Sequence, residues 1–152
     1  MKIHFVFDKT KKASKIKKRF LRVYKNSQPS NSDYFIVAGG DGFMLKTLKR
    51  FYKYNKPFFG INCGTYGFLM NNYNSLELKK RLKNSKKISI NPLKISTKGM
   101  YNKSLIAINE VSLFRQSKQT ASISIKNKNK VIIKKLIGDG VIISTPAGST
   151  AY

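Results

Sequence analysis

Three short apolar runs, Ile3-His4-Phe5-Val6-Phe7, Tyr34-Phe35-Ile36-Val37-Ala38 and Phe58-Phe59-Gly60-Ile61-Asn62, alternate with two stretches of helical periodicity. No other feature constrains the fold as strongly. Runs of about five residues bounded by polar or turn-forming positions fit buried strands. Between the first two, Ile16, Phe20, Leu21 and Tyr24 recur at near-helical spacing within residues 13–24. Between the second and third, Phe43, Leu45, Leu48 and Tyr52 do the same, and Pro57 ends that element. Residues 26–33 are polar and contain Pro29, which marks a loop. A β-α-β-α-β order predicts a parallel sheet with right-handed crossovers.

Beyond residue 62 the pattern changes. Asn74-Ser75-Leu76-Glu77 has the form of a helix start, with Asn74 as the cap and Glu77 reaching back, and predicts a helix to about Leu82. After Lys86-Lys87 the chain turns to short β-branched runs at residues 88–97, 105–114, 122–125, 131–137 and 141–144, with Asn127-Lys128-Asn129 as a hairpin turn. The expected organisation is an α/β domain with a parallel sheet over residues 1–85 and an antiparallel β-rich domain from residue 86 to 152. No internal repeat or low-complexity linker interrupts it.

At 152 residues and 41% apolar content the chain can bury a core. It has no apolar run of the length a membrane helix needs, and Met1-Lys2-Ile3-His4 does not begin a signal peptide. Cys63 is the only cysteine and His4 the only histidine, so neither an internal disulfide nor a zinc site can be built. A reducing, cytoplasmic setting fits. The net charge of +25 invites a nucleic-acid partner. The cations, however, are 26 Lys against 5 Arg, scattered through a chain rich in Asn, Ile, Tyr and Phe. Arg is the residue favoured for bidentate phosphate and base recognition, so the composition reads as drift and disfavours nucleic acid. A positive surface still attracts anionic small molecules.

Three constellations carry chemistry. Gly39-Gly40-Asp41-Gly42 falls where a strand gives way to a helix. Its glycines allow backbone N–H groups to approach phosphate oxygens, and the helix N-terminus favours anions. A carboxylate among phosphates is repelled unless it meets a metal, a hydroxyl or a proton to accept. The competing reading is a tight turn with Asp41 capping the helix. Asn109-Glu110 interrupts an apolar run in a chain with only six acids. Strand alternation sends the two side chains to opposite faces unless the strand ends or bulges there. Asn can read an adenine edge and Glu can accept from ribose hydroxyls; alternatively Glu110 is an exposed partner for Lys. Finally, Gly138-Asp139-Gly140 leads through Val141-Ile142-Ile143 into Ser144-Thr145-Pro146-Ala147-Gly148-Ser149-Thr150-Ala151-Tyr152, a dense set of hydroxyls and backbone amides suited to a polar ligand.

In this order the three signals resemble the signature of NAD kinases, and Gly60-Ile61-Asn62-Cys63-Gly64-Thr65-Tyr66-Gly67-Phe68-Leu69 is similar to that family's loop after a strand. The Gly-Gly-Asp-Gly element alone is shared with diacylglycerol-type lipid kinases; the final segment is more specific. The resemblance implies transfer of the ATP γ-phosphate to the adenosine ribose 2′-hydroxyl of NAD, giving NADP. It implies Asp41 as the catalytic acid that orients that hydroxyl and accepts its proton, with Gly42 against the same substrate and Gly39 and Gly40 facing the ATP phosphates. Phe68 matches the position that packs on adenine, Asn109 and Glu110 those that hold adenine and ribose, and Asp139 the binder of the nicotinamide end. Thr150, Ala151 and Tyr152 match further dinucleotide contacts. A divalent metal, Mg²⁺, is implied with ATP, as is a homo-oligomer, with no membrane partner. Cys63, Thr65 and Tyr66 depart from the Thr, His and Leu common in the loop, and Ile137 stands where many members have a basic residue. Family members continue beyond the position of Tyr152 with more β structure, so the expectation is a C-terminally incomplete second domain. A lipid kinase explains only the Gly-rich turn, and a nucleic-acid-binding module explains only the charge.

Overall fold

A computed structural model describes residues 1–74, 77–99 and 101–150. The chain divides into two compact units, Met1–Ser89 and Ile90–Tyr152.

In the first unit, β1 (Ile3–Phe7), α1 (Lys11–Val23), β2 (Tyr34–Gly39), α2 (Asp41–Phe51), β3 (Phe58–Asn62) and α3 (Leu78–Asn84) follow one another. The strands form a parallel sheet in the order β1-β2-β3. Side chains of a strand alternate between faces, so the register assigns Ile3, Phe5, Ile36, Ala38, Phe59 and Ile61 to one face. That face is covered by Ile16 and Phe20 of α1 and by Leu78 and Leu82 of α3. On the opposite face Phe35 stacks on Phe58 at 4.8 Å and meets Phe51, the last residue of α2, at 5.0 Å. His4, on the same face, lies edge-on to both Phe35 and Phe51 and places Nδ1 2.7 Å from the Ser27 carbonyl. The one histidine is therefore a packed structural residue.

Helices on opposite faces of a sheet whose order runs steadily from β1 to β3 require one of the two crossovers to be left-handed. This corrects the expectation that both are right-handed, which follows from strand twist in the great majority of βαβ units. A local reason lies in the glycines on the α2 face. A Cβ on Gly39 would stand 2.6 Å from the Phe43 ring, and one on Gly60 would stand 2.8 Å from Met44 Cε. The missing side chains leave depressions into which the first turn of α2 settles, directly after β2. The buried stripe of α2 is Met44, Thr47 and Phe51. The expected face, Phe43, Leu45, Leu48 and Tyr52, is displaced around the helix, because Thr47 turns inward by donating its hydroxyl to the Phe43 carbonyl.

Gly60 also meets the chain that follows β3. A Cβ there would lie 2.7 Å from the Leu69 carbonyl and 2.6 Å from Met70 Sδ. The loop returns to the sheet at Asn71, whose N–H donates to the Gly60 carbonyl at 3.0 Å and whose carbonyl accepts from Asn62 N–H at 2.8 Å. Gly60→Ala is expected to cost about 1–3 kcal/mol by overpacking, read as a lower urea midpoint. Faster amide exchange at Asn71 should accompany it, because the Leu69 backbone must move.

Helix α1 starts at Lys11, two residues before the expected stretch, and is capped by Thr10, whose Oγ1 accepts from Ala13 N–H at 3.2 Å. Helix α3 also departs from its expected start. It begins at Leu78 with Glu77 in the cap position, at a left-handed φ of 57° and without a side-chain cap bond. Glu77 pairs instead with Lys80 at 3.2 Å. Ser75 and Leu76 of the expected capping box lie outside the described residues.

The second unit is antiparallel throughout. β4 (Leu93–Thr97) pairs with β5 (Lys103–Ala107), β6 (Glu110–Phe114) with β9 (Gly140–Ser144), and β7 (Ala121–Asn127) with β8 (Lys130–Gly138). The hairpin at Asn127-Lys128-Asn129 forms, with Lys128 at a φ of 53°. The run expected over residues 105–114 divides into β5 and β6, and the one over 88–97 is strand only from Leu93. Ile132, Ile137, Leu113, Phe114, Ile142 and Ile143 are exposed. No described helix is long and apolar enough to cross a membrane.

Candidate functional site

The carboxyl ends of parallel strands are where an open α/β sheet binds ligands, because each strand there delivers the chain into a helix N-terminus. β2 ends at Gly39, Gly40 occupies the helix cap position with no side chain to offer, and Asp41 is the first residue of α2. Asp41 therefore does not cap its own helix. Its carboxylate turns to the loop after β3, where Oδ2 accepts from Phe68 N–H at 2.8 Å and Oδ1 from Leu69 N–H at 3.1 Å. The loop comes so close that a Cβ on Gly67 would stand 2.9 Å from Asp41 Oδ1. Each carboxylate oxygen has a second acceptor site, so a hydroxyl can still be received. Asp41 is half-buried and Gly42 is exposed.

The same two bonds fix the backbone under Phe68, whose side chain is 102% exposed; Tyr66, two residues earlier, is 90% exposed. An aromatic ring held out on an anchored loop offers both faces to a planar partner. On the other side of the loop Lys12 Nζ reaches the Gly64 carbonyl at 3.5 Å, and Cys63 N–H donates to the Gly39 carbonyl at 2.8 Å. Burial pushes the Cys63 thiol above its ordinary pKa, against the opposing field of Lys12. A raised pKa lowers the thiolate fraction of Cys63 relative to a free cysteine.

In the second unit the strand does end between Ala107 and Glu110, which frees Asn109 and Glu110 from simple alternation. The break is filled by the segment after β9. Thr145 N–H donates to the Asn109 carbonyl at 2.7 Å, and the buried Thr145 hydroxyl donates to the Ile108 carbonyl at 2.9 Å while accepting from Gly148 N–H at 3.0 Å. A Cβ on Gly148 would overlap the Asn109 carbonyl. Close approach of Gly148 therefore sets the position of Asn109. Glu110 Oε2 is buried with no hydrogen-bond partner among the described residues, the state of an acceptor that a ligand hydroxyl would satisfy. Glu110 is half-buried, unlike the exposed partner for Lys that was the alternative.

Gly138-Asp139-Gly140 passes the chain from β8 to β9, which pair with different strands. Asp139 alone links them. Its Oδ1 accepts from Arg115 Nε at 2.5 Å, its carbonyl accepts from Arg115 N–H at 2.8 Å, and Arg115 Nη1 donates to the Ser117 carbonyl. The sequence motifs leave out Arg115 and the structural role of Thr145. Arg115 had a signal: it is the only Arg after residue 81 in a Lys-dominated chain. Thr150 ends a short 3-10 turn from Gly148, and Ala151 and Tyr152 lie outside the described residues.

Among the described residues no three His, Cys, Asp or Glu side chains come together to hold a metal. Asp41, the one acid of the Gly-rich turn, is already bonded to two amides. The described residues thus hold no side-chain cage for a divalent ion.

Residues 2–87 match the family model described as the ATP-NAD kinase N-terminal domain. The NAD kinase of Zymomonas mobilis is 40% identical over 147 residues, covering 94% of this chain and 57% of that protein. The NAD kinase of Xanthomonas oryzae is 46% identical over 125 residues, 80% of this chain and 48% of the relative. The chain thus spans well under two thirds of the length of these curated relatives. Among solved structures, an Archaeoglobus fulgidus NAD kinase in complex with ATP matches the whole chain and 64% of its own, with a TM-score of 0.66 at 24% identity. Yeast NADH kinase complexed with NADH matches 84% of this chain and 39% of its own, with a TM-score of 0.56 at 23% identity; both likenesses concern the fold. Since the family model covers more than half of the residues, the chain belongs to the NAD kinase family.

Proposed function

We propose that this chain carries the acid and dinucleotide-binding segments of an ATP-dependent NAD kinase, which moves the ATP γ-phosphate to the 2′-hydroxyl of the adenosine ribose of NAD and yields NADP and ADP. The observation that carries the reading is Asp41: a carboxylate at the head of α2, in the Gly-rich turn after β2, oriented by the amides of Phe68 and Leu69. A ribose hydroxyl is a poor nucleophile at neutral pH, and an oriented carboxylate can align it and accept its proton as the bond to phosphorus forms. Gly39 and Gly40, at the end of β2 and the head of α2, face the donor phosphates, and Gly42 lies against the acceptor. The exposed Phe68 ring stacks on adenine. Asn109 and Glu110, at the strand break, receive adenine and ribose, and the unpartnered Glu110 Oε2 is the acceptor for a ribose hydroxyl. Asp139 takes the nicotinamide end, and Thr150, Ala151 and Tyr152 add contacts to the same dinucleotide. In this reading residues 1–85 form the nucleotide-binding domain and 86–152 the start of the NAD-binding β domain.

Mg²⁺ accompanies ATP as its phosphate-bound partner and neutralises phosphate charge. The protein's own contribution is to orient the hydroxyl, hold the two nucleotides and remove the proton at Asp41. The complete protein is proposed to act as a cytoplasmic homo-oligomer. What supports the donor and acceptor is the family membership together with the ligands bound in the two structural neighbours, ATP and NADH. The test is the conversion of NAD to NADP with γ-labelled ATP, by the 152-residue chain and by a form extended to the length of its relatives. Label at the ribose 2′ position supports the reading; no label in NADP from either form, both folded, refutes it.

A further inference from the structure

We propose that Arg115 is a positioning residue that sets Asp139 for the nicotinamide half of the dinucleotide, and so determines affinity for that half alone. The inference rests on the NAD-binding reading of Asp139. Three observations carry it. First, Asp139 is intrinsically loose: it is a single-residue link between β8 and β9, with glycine on either side. Second, Arg115 grips it twice, by its backbone N–H on the Asp139 carbonyl at 2.8 Å and by Nε on Oδ1 at 2.5 Å. Third, the guanidinium is itself fixed, because Nη1 donates to the Ser117 carbonyl and the group lies over the Phe114 ring at 5.9 Å.

The bonding pattern distinguishes a support from a mere neutraliser. A bidentate pair would occupy both carboxylate oxygens. Here Nε engages Oδ1 and Nη1 is directed to Ser117, so Oδ2 remains an acceptor for a ligand N–H or hydroxyl. Asp139 is 64% exposed and Arg115 27% exposed, so the acid faces outward and the cation sits beneath it. An exposed ion pair of this kind contributes little to stability. Its value is that it removes rotamers from Asp139 before a ligand arrives.

The experiment compares the binding of NAD with that of AMP, which lacks the whole nicotinamide half, by titration of the full chain at fixed salt. Arg115→Met is expected to weaken NAD about tenfold, the effect of one charge-assisted hydrogen bond, and to leave AMP unchanged. Arg115→Lys, which can restore a donor but not the fork, should fall between. In the double variant with Asp139→Asn the losses should be less than additive, because both act through one acid. Equal weakening of NAD and AMP by Arg115→Met would mean a general structural role and would overturn the proposal, as would no change in either. If the unaltered chain binds neither ligand, the proposal and the NAD reading fall together. If NADP is formed while Arg115→Met leaves the KM for NAD unchanged, only the Arg115 proposal falls.

Discussion

Asp41→Asn is expected to lower NADP formation by about 10²- to 10⁴-fold, the range of general-base contributions, while NAD still binds. The substitution removes the proton acceptor and keeps the size of the side chain. It also does something the sequence alone does not reveal. Both Asp41 oxygens accept from backbone amides, Oδ2 from Phe68 and Oδ1 from Leu69. An amide side chain can satisfy only one of these donors and must set its NH₂ against the other. The rate loss should therefore come with faster amide exchange at either Phe68 or Leu69. Asp41→Glu separates the two effects: it restores a carboxylate in a displaced position, so activity should remain low even though an acid is present. An Asp41→Asn protein that makes NADP at an undiminished rate would remove Asp41 from the mechanism.

The largest stability effect is expected at Phe35. Phe35→Ala should cost about 3–5 kcal/mol, a large part of the roughly 5–15 kcal/mol that holds a typical domain folded. Phe35 is completely buried. Its ring meets those of Phe58 at 4.8 Å, Phe51 at 5.0 Å, His4 at 5.3 Å and Tyr54 at 5.9 Å. It is thus the centre of the face on which α2 rests, and truncation opens a cavity under the far end of the helix whose first residue is Asp41. The measurement is a denaturation curve, in which Phe35→Leu, keeping most of the volume, should lose much less. Equal midpoints for Phe35→Ala and the parent chain would show that the aromatic cluster is not what fastens α2.

The three strands and two crossover helices of the first unit were legible because each is a short apolar run or a periodic stretch bounded by clear punctuation, such as Pro57 before β3. The faces were less legible. Right-handed crossover is the general preference, and nothing in the periodicity of residues 43–52 records that Gly39 and Gly60 open the opposite face to α2; that is a matter of tertiary fit. The turn carrying Asp41 was readable from glycine spacing, whereas the bonds that orient its carboxylate come from backbone amides of Phe68 and Leu69, which any residue could supply. Asn109 and Glu110 were readable as polar interruptions of an apolar run. Their release from alternation depends on Thr145 and Gly148 filling the break, some 36 residues later in the chain. Asp139 was singled out from its flanking glycines, but the pairing with Arg115 spans a hairpin and leaves no local pattern.

The bare strand faces of the second unit bear on how the protein behaves in bulk solution. Unpaired edges and exposed Leu113, Phe114, Ile142 and Ile143 are adhesive surfaces between copies. A net charge of +25 opposes their meeting. That repulsion reaches about 10 Å at 0.1 M salt and only about 3 Å at 1 M. Colloidal stability should therefore fall as salt is added, the reverse of ordinary salting-in, with turbidity at 1 M NaCl from a solution that is clear in dilute buffer. Drift towards lysine, whatever its origin, would then serve as the solubilising coat for an adhesive β surface.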